Sequence, residues 1–427
     1  MAMARSDERT PLLVDIESLD SYDLKSFSTL PPALSPESGD KKLTDHDESK
    51  EEFKLVAVFV VTFDTKHGNT VEWSYPKSID LDGVEFKSMA SGLHHVLKDF
   101  IYFKVNDYYG LSCYEKISVS SIQERGARMK SVGVLSHTYR HLHLHREFLQ
   151  RQVRIQLEKP GGDYGSLEEY LHHYPQRVPN PLPSSGSDPQ AMQHTHPDGC
   201  FSDFMQFFGP HIFVLWRLAL LQKRVIFYSP PPVGEVCHRV YCTALLTAHK
   251  LDGRAIQTEH NPQFYINVAD IEALNSTRTY VACTTEKIFQ TKLNLYDVFV
   301  DHCTIHTHSQ YVEPLLRVSR ADRERFEHLV NLRSNHLTTK AMWNGSRMEQ
   351  DDLGFAEFFA EMNTVLFRTM MDVSSCDDHV MTVEAIEHLG LDAVHDRNFL
   401  SDLAVLYGFD IVVQRSTSLC CYPDLNE

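Results

Sequence analysis

The sequence predicts a mixed α/β chain in three successive parts: an α+β part on an antiparallel sheet, a mostly parallel α/β part, and a helical C-terminal part. Three observations carry this. Apolar, β-branched runs joined by short turns cluster between about residues 53 and 136. Strands alternate with helices between about 201 and 301, the pattern of a parallel sheet covered on both faces. Past Ser319 only helix-period patterns remain. At 427 residues the chain exceeds one ordinary core, so several domains are expected.

Residues 1–52 are rich in Ser, Asp, Glu, Lys and Pro and too poor in apolar residues to bury a core, so an acidic disordered tail is expected. The first ordered part, 53–160, opens with the buried-strand run FKLVAVFVVTFD (53–64). HGNT supplies a turn at Gly68-Asn69, and VEWSYP continues as a paired strand. GVEFKSMASGLHHVL reads as one short helix. DFIYFKVN, YYGLSCYEK and MKSVGVLS are three more strands, the first two joined near Asn106-Asp107. A long helix is expected from about Tyr139 to Leu157, with Leu142, Phe148, Leu149, Val153 and Leu157 close to one stripe.

Residues 161–200, rich in Pro, Gly, Ser and His, are expected to form a flexible linker. The second ordered part, 201–318, opens with the helix DFMQFFGPHIFVLWRLALLQ, bent near Gly209-Pro210. Its apolar run from Ile212 to Leu221 is cut by Gln222-Lys223-Arg224, far short of the roughly 20 residues a membrane span needs. It therefore reads as a core helix. RVIFYS, QFYINVA, TYVACTT and YDVFVD are strands, with VYCTALLTA and EKIFQTKL as helices. The third part, 319–427, holds two amphipathic helices and two shorter ones, VEAIEHLG and RNFLSDLAVLYG, each ending at a glycine suited to a C-cap.

Hydrophobic residues make up 42% and charged residues 23%, a globular composition. The net charge of -17 offers no cation surplus for phosphate backbones, so nucleic acid is not an expected partner. Nine irregularly spaced cysteines without a CxxC pair suit reduced thiols. The N-terminus lacks the apolar core of a signal peptide. A cytoplasmic chain with no transmembrane segment, open to peripheral recruitment onto endomembranes, is expected.

No phosphate-cradling, nucleophile-elbow or zinc-protease motif is present, and PGGDYGS (160–166) reads as a plain loop. His137, His141 and His145 recur every four residues, and His194, His196 and Cys200 look like half a zinc site. Neither set completes a tetrahedron, so no metal and no cofactor is expected. Glu8, Leu12 and Leu13 form an acidic-dileucine pattern of the kind a sorting adaptor reads, although so short a pattern arises often by chance. Thr10-Pro11 inside it is a candidate phosphorylation site, and Cys420-Cys421 a candidate acylation site. In an open parallel sheet, partners engage outside the carboxyl ends of the strands. Two such loops stand out: SPPPVG, with Pro231 and Pro232 stiffening it, and CTTEK, where Thr284 or Thr285 is positioned to cap a following helix. Ordinary strand-to-helix turn chemistry explains any one of these residues equally well.

The stretches VTFDTKHGNTVEW, GVEFKSMASG, DFIYFK, ERGARMKSVGVLS, LWRLALLQKRVIFYSPPPVG and YVACTTEKIF closely resemble the LCHN type of DENN-domain protein, a divergent branch of the tripartite DENN family. The resemblance spans roughly Lys54 to Val413. It implies a Longin-like domain, a central DENN domain and a downstream helical region, short for the wider family. It also implies guanine-nucleotide exchange on a small Rab-type GTPase in membrane trafficking, with no chemical catalysis and no catalytic residue. The GTPase would dock across the first two parts, which makes Thr284, Thr285, Glu286, Lys287, Asp297, Asp301, Pro231 and Pro232 the candidate contacts. The alternative is a DENN-like scaffold that binds a GTPase or a sorting adaptor without exchange.

Overall fold

The computed structural model describes residues 54–415, apart from 122–123, 140, 160, 178–194, 197–198, 252–253, 257–261 and 340–346. The apolar run after Lys54 forms β1 (Leu55–Asp64), which turns back into β2 (Gly68–Tyr75). Gly68 sits at φ 79°, a left-handed position that glycine adopts without steric cost. After the short helix α1 (Val84–Ser88) come β3 (Lys98–Val105), β4 (Tyr108–Ser118) and β5 (Ala127–Ser136). These five strands are antiparallel neighbours in the order β3-β4-β5-β1-β2. Helices α2 (Arg146–Glu158) and α3 (Gly165–Arg177) follow.

The second half begins with α4 (Phe201–Phe208) and α5 (Ile212–Leu220), joined by a 3-10 turn at Gly209–His211 where Pro210 breaks the α-helical ladder. Strand β6 (Val225–Tyr228), helix α6 (Gly234–Leu245), β7 (Pro262–Tyr265), α7 (Ile271–Ser276), β8 (Val281–Thr284) and β9 (Val298–Asp301) complete a parallel array ordered β9-β6-β8-β7. A three-residue strand, β10 (Thr304–His306), returns antiparallel along β9.

The two sheets expected from the sequence are one. Phe264 and Tyr265 of β7 pair with Phe103 of β3, giving a single ten-stranded sheet, β10-β9-β6-β8-β7-β3-β4-β5-β1-β2. Joining them removes two unpaired edges from water. The seam is irregular: Phe264 sits at φ 54°, a conformation that costs an L-residue about 1–2 kcal/mol. What holds it there is packing. Its ring lies 5.6 Å from Tyr102, 6.3 Å from Tyr109 and 5.5 Å from Tyr139, three aromatic neighbours from the first half of the chain.

Three helix expectations change. GVEFKSMASGLHHVL forms two short turns rather than one helix, because Gly83 and Gly92 both take left-handed φ and Met89–Gly92 stays outside the helix. The helix expected from Tyr139 begins as a 3-10 turn at Leu142–His145 and becomes α-helical only at Arg146. EKIFQTKL is a single 3-10 turn, Lys287–Thr291. Between Lys287 and Asn294 only Phe289 is buried, too few anchors for a helical stripe. Within the expected linker, α3 packs onto the first sheet: Leu167 is fully buried and Tyr164 stacks on Trp73 at 4.9 Å.

Every residue of α5 is buried, which explains why it is apolar all round. It packs against α6 and shares one core with the C-terminal helices α8 (Arg320–Thr339), α9 (Arg347–Ser374), α10 (Val383–His388) and α11 (Arg397–Tyr407), with the Phe213 ring 5.8 Å from Phe359 of α9 and Trp216 5.2 Å from Phe399 of α11. Three polar contacts tie α5 to these helices. Trp216 Nε1 donates to Asn363 Oδ1 at 2.7 Å, and Asn363 Nδ2 donates to the carbonyls of Leu246 and Ala248. Tyr407 donates its hydroxyl to the carbonyl of Leu220. Arg217 donates to both oxygens of Asp322, to Asp396 Oδ1, and to the carbonyls of Leu315 and Arg317. With Arg325 also bonded to Asp322 at 2.6 Å, two buried cations face two buried carboxylates. Burial pushes the Asp396 pKa up and the Arg325 pKa down, each opposed by its ion partners. Among the described residues no helix is long and apolar enough to cross a membrane.

Two buried histidines set an acid limit on stability. Burial, helped by repulsion from His143 and His141, pushes His145 down to about 3; its Nδ1 lies 2.9 Å from the Tyr170 hydroxyl. Burial pushes His238 down to about 4. Above the unfolded value of about 6.5 both states are neutral and stability is flat. Below it, the unfolded chain takes up protons that the folded chain refuses until about pH 3–4, so stability falls as pH falls through that window. Unfolding free energies from denaturant titrations are expected to drop from pH 6.5 toward 4 by up to about 1.4 kcal/mol per pH unit per histidine, and His145→Gln is expected to flatten the profile. An unchanged profile in that variant contradicts the assignment.

Candidate functional site

The parallel strands β9, β6 and β8 end side by side, with Tyr228 in register with both Thr284 and Asp301. That edge gathers most of the residues singled out from the sequence: Pro231 and Pro232 beyond β6, Thr284 closing β8 with Thr285 to Lys287 beyond it, and Asp301 closing β9. Asp297 is not among them. It sits at the opposite end of β9, roughly 13 Å away by strand rise. There it accepts from the Arg224 backbone N–H at 2.8 Å and from its guanidinium at 3.0 Å. Glu8, Leu12, Leu13, Thr10-Pro11, His194 and Cys420-Cys421 lie outside the described residues.

Thr284 is buried, and its hydroxyl accepts from the Glu286 N–H at 3.1 Å. It therefore closes a tight turn instead of capping a helix, since only a 3-10 turn follows. Thr285 is half-buried with its hydroxyl 3.4 Å from that of Tyr265. Glu286 accepts from the Val268 N–H at 2.9 Å; burial raises its pKa while that hydrogen bond opposes the rise. Lys287 and the neighbouring Ile288 are exposed.

The SPPPVG loop is anchored to the antiparallel half. Asp99, at the start of β3, accepts from the backbone N–H groups of Val233 at 2.5 Å and Gly234 at 3.1 Å, capping α6 from another part of the chain. Pro231 packs against Gly92, where a Cβ would stand 3.3 Å from its Cγ. Beside this loop a cavity of about 370 Å³ opens between the halves, lined by Lys98, Phe100, Arg146, Pro232 and Glu235 among others.

A second set of bonds crosses the seam. Lys87 of α1 donates to Asp270 Oδ2 at 2.6 Å and to the carbonyl of Tyr265 at 3.2 Å. Burial lowers the Lys87 pKa and the Asp270 carboxylate opposes the fall. The Tyr265 hydroxyl accepts from the Ser91 N–H at 3.1 Å. Asp99, Lys87, Tyr265 and Asp270 were not singled out from the sequence. Only Lys87 left a local signal: with Val84 and Ser88 it occupies the buried stripe of α1, an unusual place for a lysine.

Among the described residues no group of three His, Cys, Asp or Glu is arranged to hold a metal ion. Cys237 and Cys283 place their sulfurs 3.6 Å apart across the core, and burial raises the Cys237 pKa well above its usual value, away from the reactive thiolate. What this edge offers is fixed backbone, hydrogen-bonding groups and an exposed apolar side chain held on a stiff two-part frame. Those are the means of binding.

Comparison with known proteins places the frame. The family model for DENN domain-containing protein 11 matches residues 58–312, from within β1 to beyond β10. The chain is 46% identical over 382 residues to DENN domain-containing protein 11 of Xenopus laevis, covering 87% of this chain and 88% of that protein. It is 45% identical over 404 residues to the Mus musculus protein of the same name, covering 91% and 88%. The Danio rerio protein is 43% identical over 396 residues, covering 89% and 80%. A matched stretch that spans the seam, together with relatives this similar over most of both lengths, shows that the chain belongs to the DENN domain-containing protein 11 family.

Proposed function

We propose that this protein is a guanine-nucleotide exchange factor for a small Rab-type GTPase, acting at membranes it reaches peripherally. The observation that carries the reading is the seam: two halves that would dock the GTPase jointly are locked into one sheet by Phe264, Lys87 and Asp99. Family membership supports it, because DENN domains generally act on Rab GTPases. The reading keeps the three-part division at 53–160, 201–318 and 319–427, with the first part Longin-like, and the LCHN-type assignment.

Exchange needs no nucleophile. A factor that binds the nucleotide-free GTPase more tightly than the loaded form must weaken nucleotide binding by the same ratio, typically on the order of 5–150-fold for such couplings. The rigid frame matters because the work is holding the switch segments in a shape that disturbs the Mg²⁺ and phosphate contacts. A frame that yields would relax around the loaded GTPase and lose the difference. The strand-end loops, with Lys287, Ile288 and Pro232 outward and Pro231 half-buried beside them, form the contact surface in this reading.

Nucleotide-state-dependent binding tests it. Full-length protein is mixed with Rab-type GTPases stripped of nucleotide, loaded with GDP, or loaded with GTP. A stable complex with the stripped form of one member, dissolved by added GTP and Mg²⁺, is expected. Equal binding in all three states would replace exchange with scaffolding.

A further inference from the structure

At the far end of the sheet from the seam, β2 is an edge. It pairs with β1 on one side, and among the described residues no strand, loop or side chain bonds the backbone groups on its other side. All eight of its residues are half-exposed. Its two faces, by contrast, are occupied. On one, Trp73 stacks on Tyr164 and the Tyr75 hydroxyl meets His172 Nε2 at 3.0 Å, holding α3. On the other, Asn69 donates to the carbonyls of Glu85 and Met89, holding α1.

Alongside the open edge runs a groove of about 410 Å³. Val71, Ile79 and Leu81 form its apolar floor, and Asp82 and Glu85 its rim, with Asp80 exposed close by in sequence. No cation pairs with these three carboxylates among the described residues. Glu72 is different: it is the extra residue of the β2 bulge and is spent on Lys130 and Tyr164.

We infer that the β2 edge is a docking site for an extended segment of a partner protein carrying Lys or Arg at alternate positions, added to the sheet as an eleventh strand. Alternate side chains of an added strand point to one face. Long basic side chains suit this groove because their aliphatic stems cover the apolar floor while the charged heads reach the rim. Charge decides between possible occupants. A second copy of this chain would bring two acidic rims together in a protein of net charge -17. The chain's own first 52 residues carry 13 Asp and Glu against 6 Lys and Arg, and would be repelled by the same rim. Five strand spacings, roughly 24 Å, separate β2 from β7 at the seam, so occupancy of the edge leaves the seam free.

The test uses full-length protein and three labelled hexapeptides: alternating Lys-Val, alternating Glu-Val, and Lys-Val with alternate backbone nitrogens methylated. The Lys-Val peptide is expected to bind at least about tenfold more tightly than either of the others, with affinity falling as salt rises. Hydrogen exchange is expected to show new protection at residues 69–75. The double variant Asp82→Lys, Glu85→Lys should lose about tenfold in affinity, two surface attractions having become repulsions. Should that variant fail to fold, the methylated peptide still decides, since only strand pairing makes it weak. Equal binding of the Lys-Val and Glu-Val peptides, undiminished binding of the methylated one, or protection elsewhere overturns the proposal. So does faster β2 exchange after deleting residues 1–52, which would make the tail the occupant, or a dimer in sedimentation that Asp82→Lys, Glu85→Lys alters.

Discussion

Arg217→Ala is expected to destabilise the protein by about 3–5 kcal/mol, a large part of the total stability of an ordinary domain. The reason lies in what stays behind. Asp322 and Asp396 are fully buried, and without Arg217 they share only Arg325. The carbonyls of Leu315 and Arg317 lose a donor in the same step. Arg217→Lys keeps the charge but not the fork that reaches two carboxylates and two carbonyls, so it should recover only part of the loss. Urea denaturation followed by tryptophan fluorescence reads both, since Trp216 neighbours the cluster. A loss below about 1 kcal/mol for the alanine variant would mean the four charges are not the junction between α5 and the C-terminal helices.

The second large effect lies at the seam. Phe264→Ala removes the ring that packs among Tyr102, Tyr109 and Tyr139, and is expected to cost about 3–5 kcal/mol. Phe264→Gly removes the same ring but also the steric cost of φ 54°, so it should be more stable than the alanine variant by about 1 kcal/mol. The order separates two explanations. If glycine is the worse of the pair, the left-handed backbone at 264 is not a feature of the folded protein. Because the ring joins the two halves, hydrogen exchange should also rise in β7 and β3 in either variant, ahead of the strands farther from the seam.

Much of the framework was legible locally. The run Leu55 to Phe63 announces a buried strand because all but Thr62 are apolar and most are Val or Phe. The run Ile212 to Leu221 announces a core helix by the absence of any polar stripe. Its partners were not legible, since Asp322, Asn363 and Asp396 lie 105 to 179 residues along the chain. The seam was hidden for the same reason: nothing in PQFYINVA marks Phe264 as a left-handed residue whose pairing partner is Phe103. Short-range rules also overreach where few residues anchor a segment, as in EKIFQTKL, which turns once and stops. The strand-end loops were found by position alone, and Thr284 and Asp301 do lie at the carboxyl ends of the two strands flanking β6, in register with Tyr228. Position could not tell that Thr284 is buried there, or that Asp297 belongs to Arg224 at the other end.

In the proposed function the two-part frame accelerates nucleotide release from a Rab-type GTPase. GDP release followed across a panel of GDP-loaded Rab proteins, with and without the full-length protein, tests it most directly. Release from one member faster by about tenfold or more, lost in Phe264→Ala under conditions where that variant remains folded, is the predicted result. Unchanged release from every member, while one still binds the protein, would contradict exchange and leave a scaffold built on the same frame.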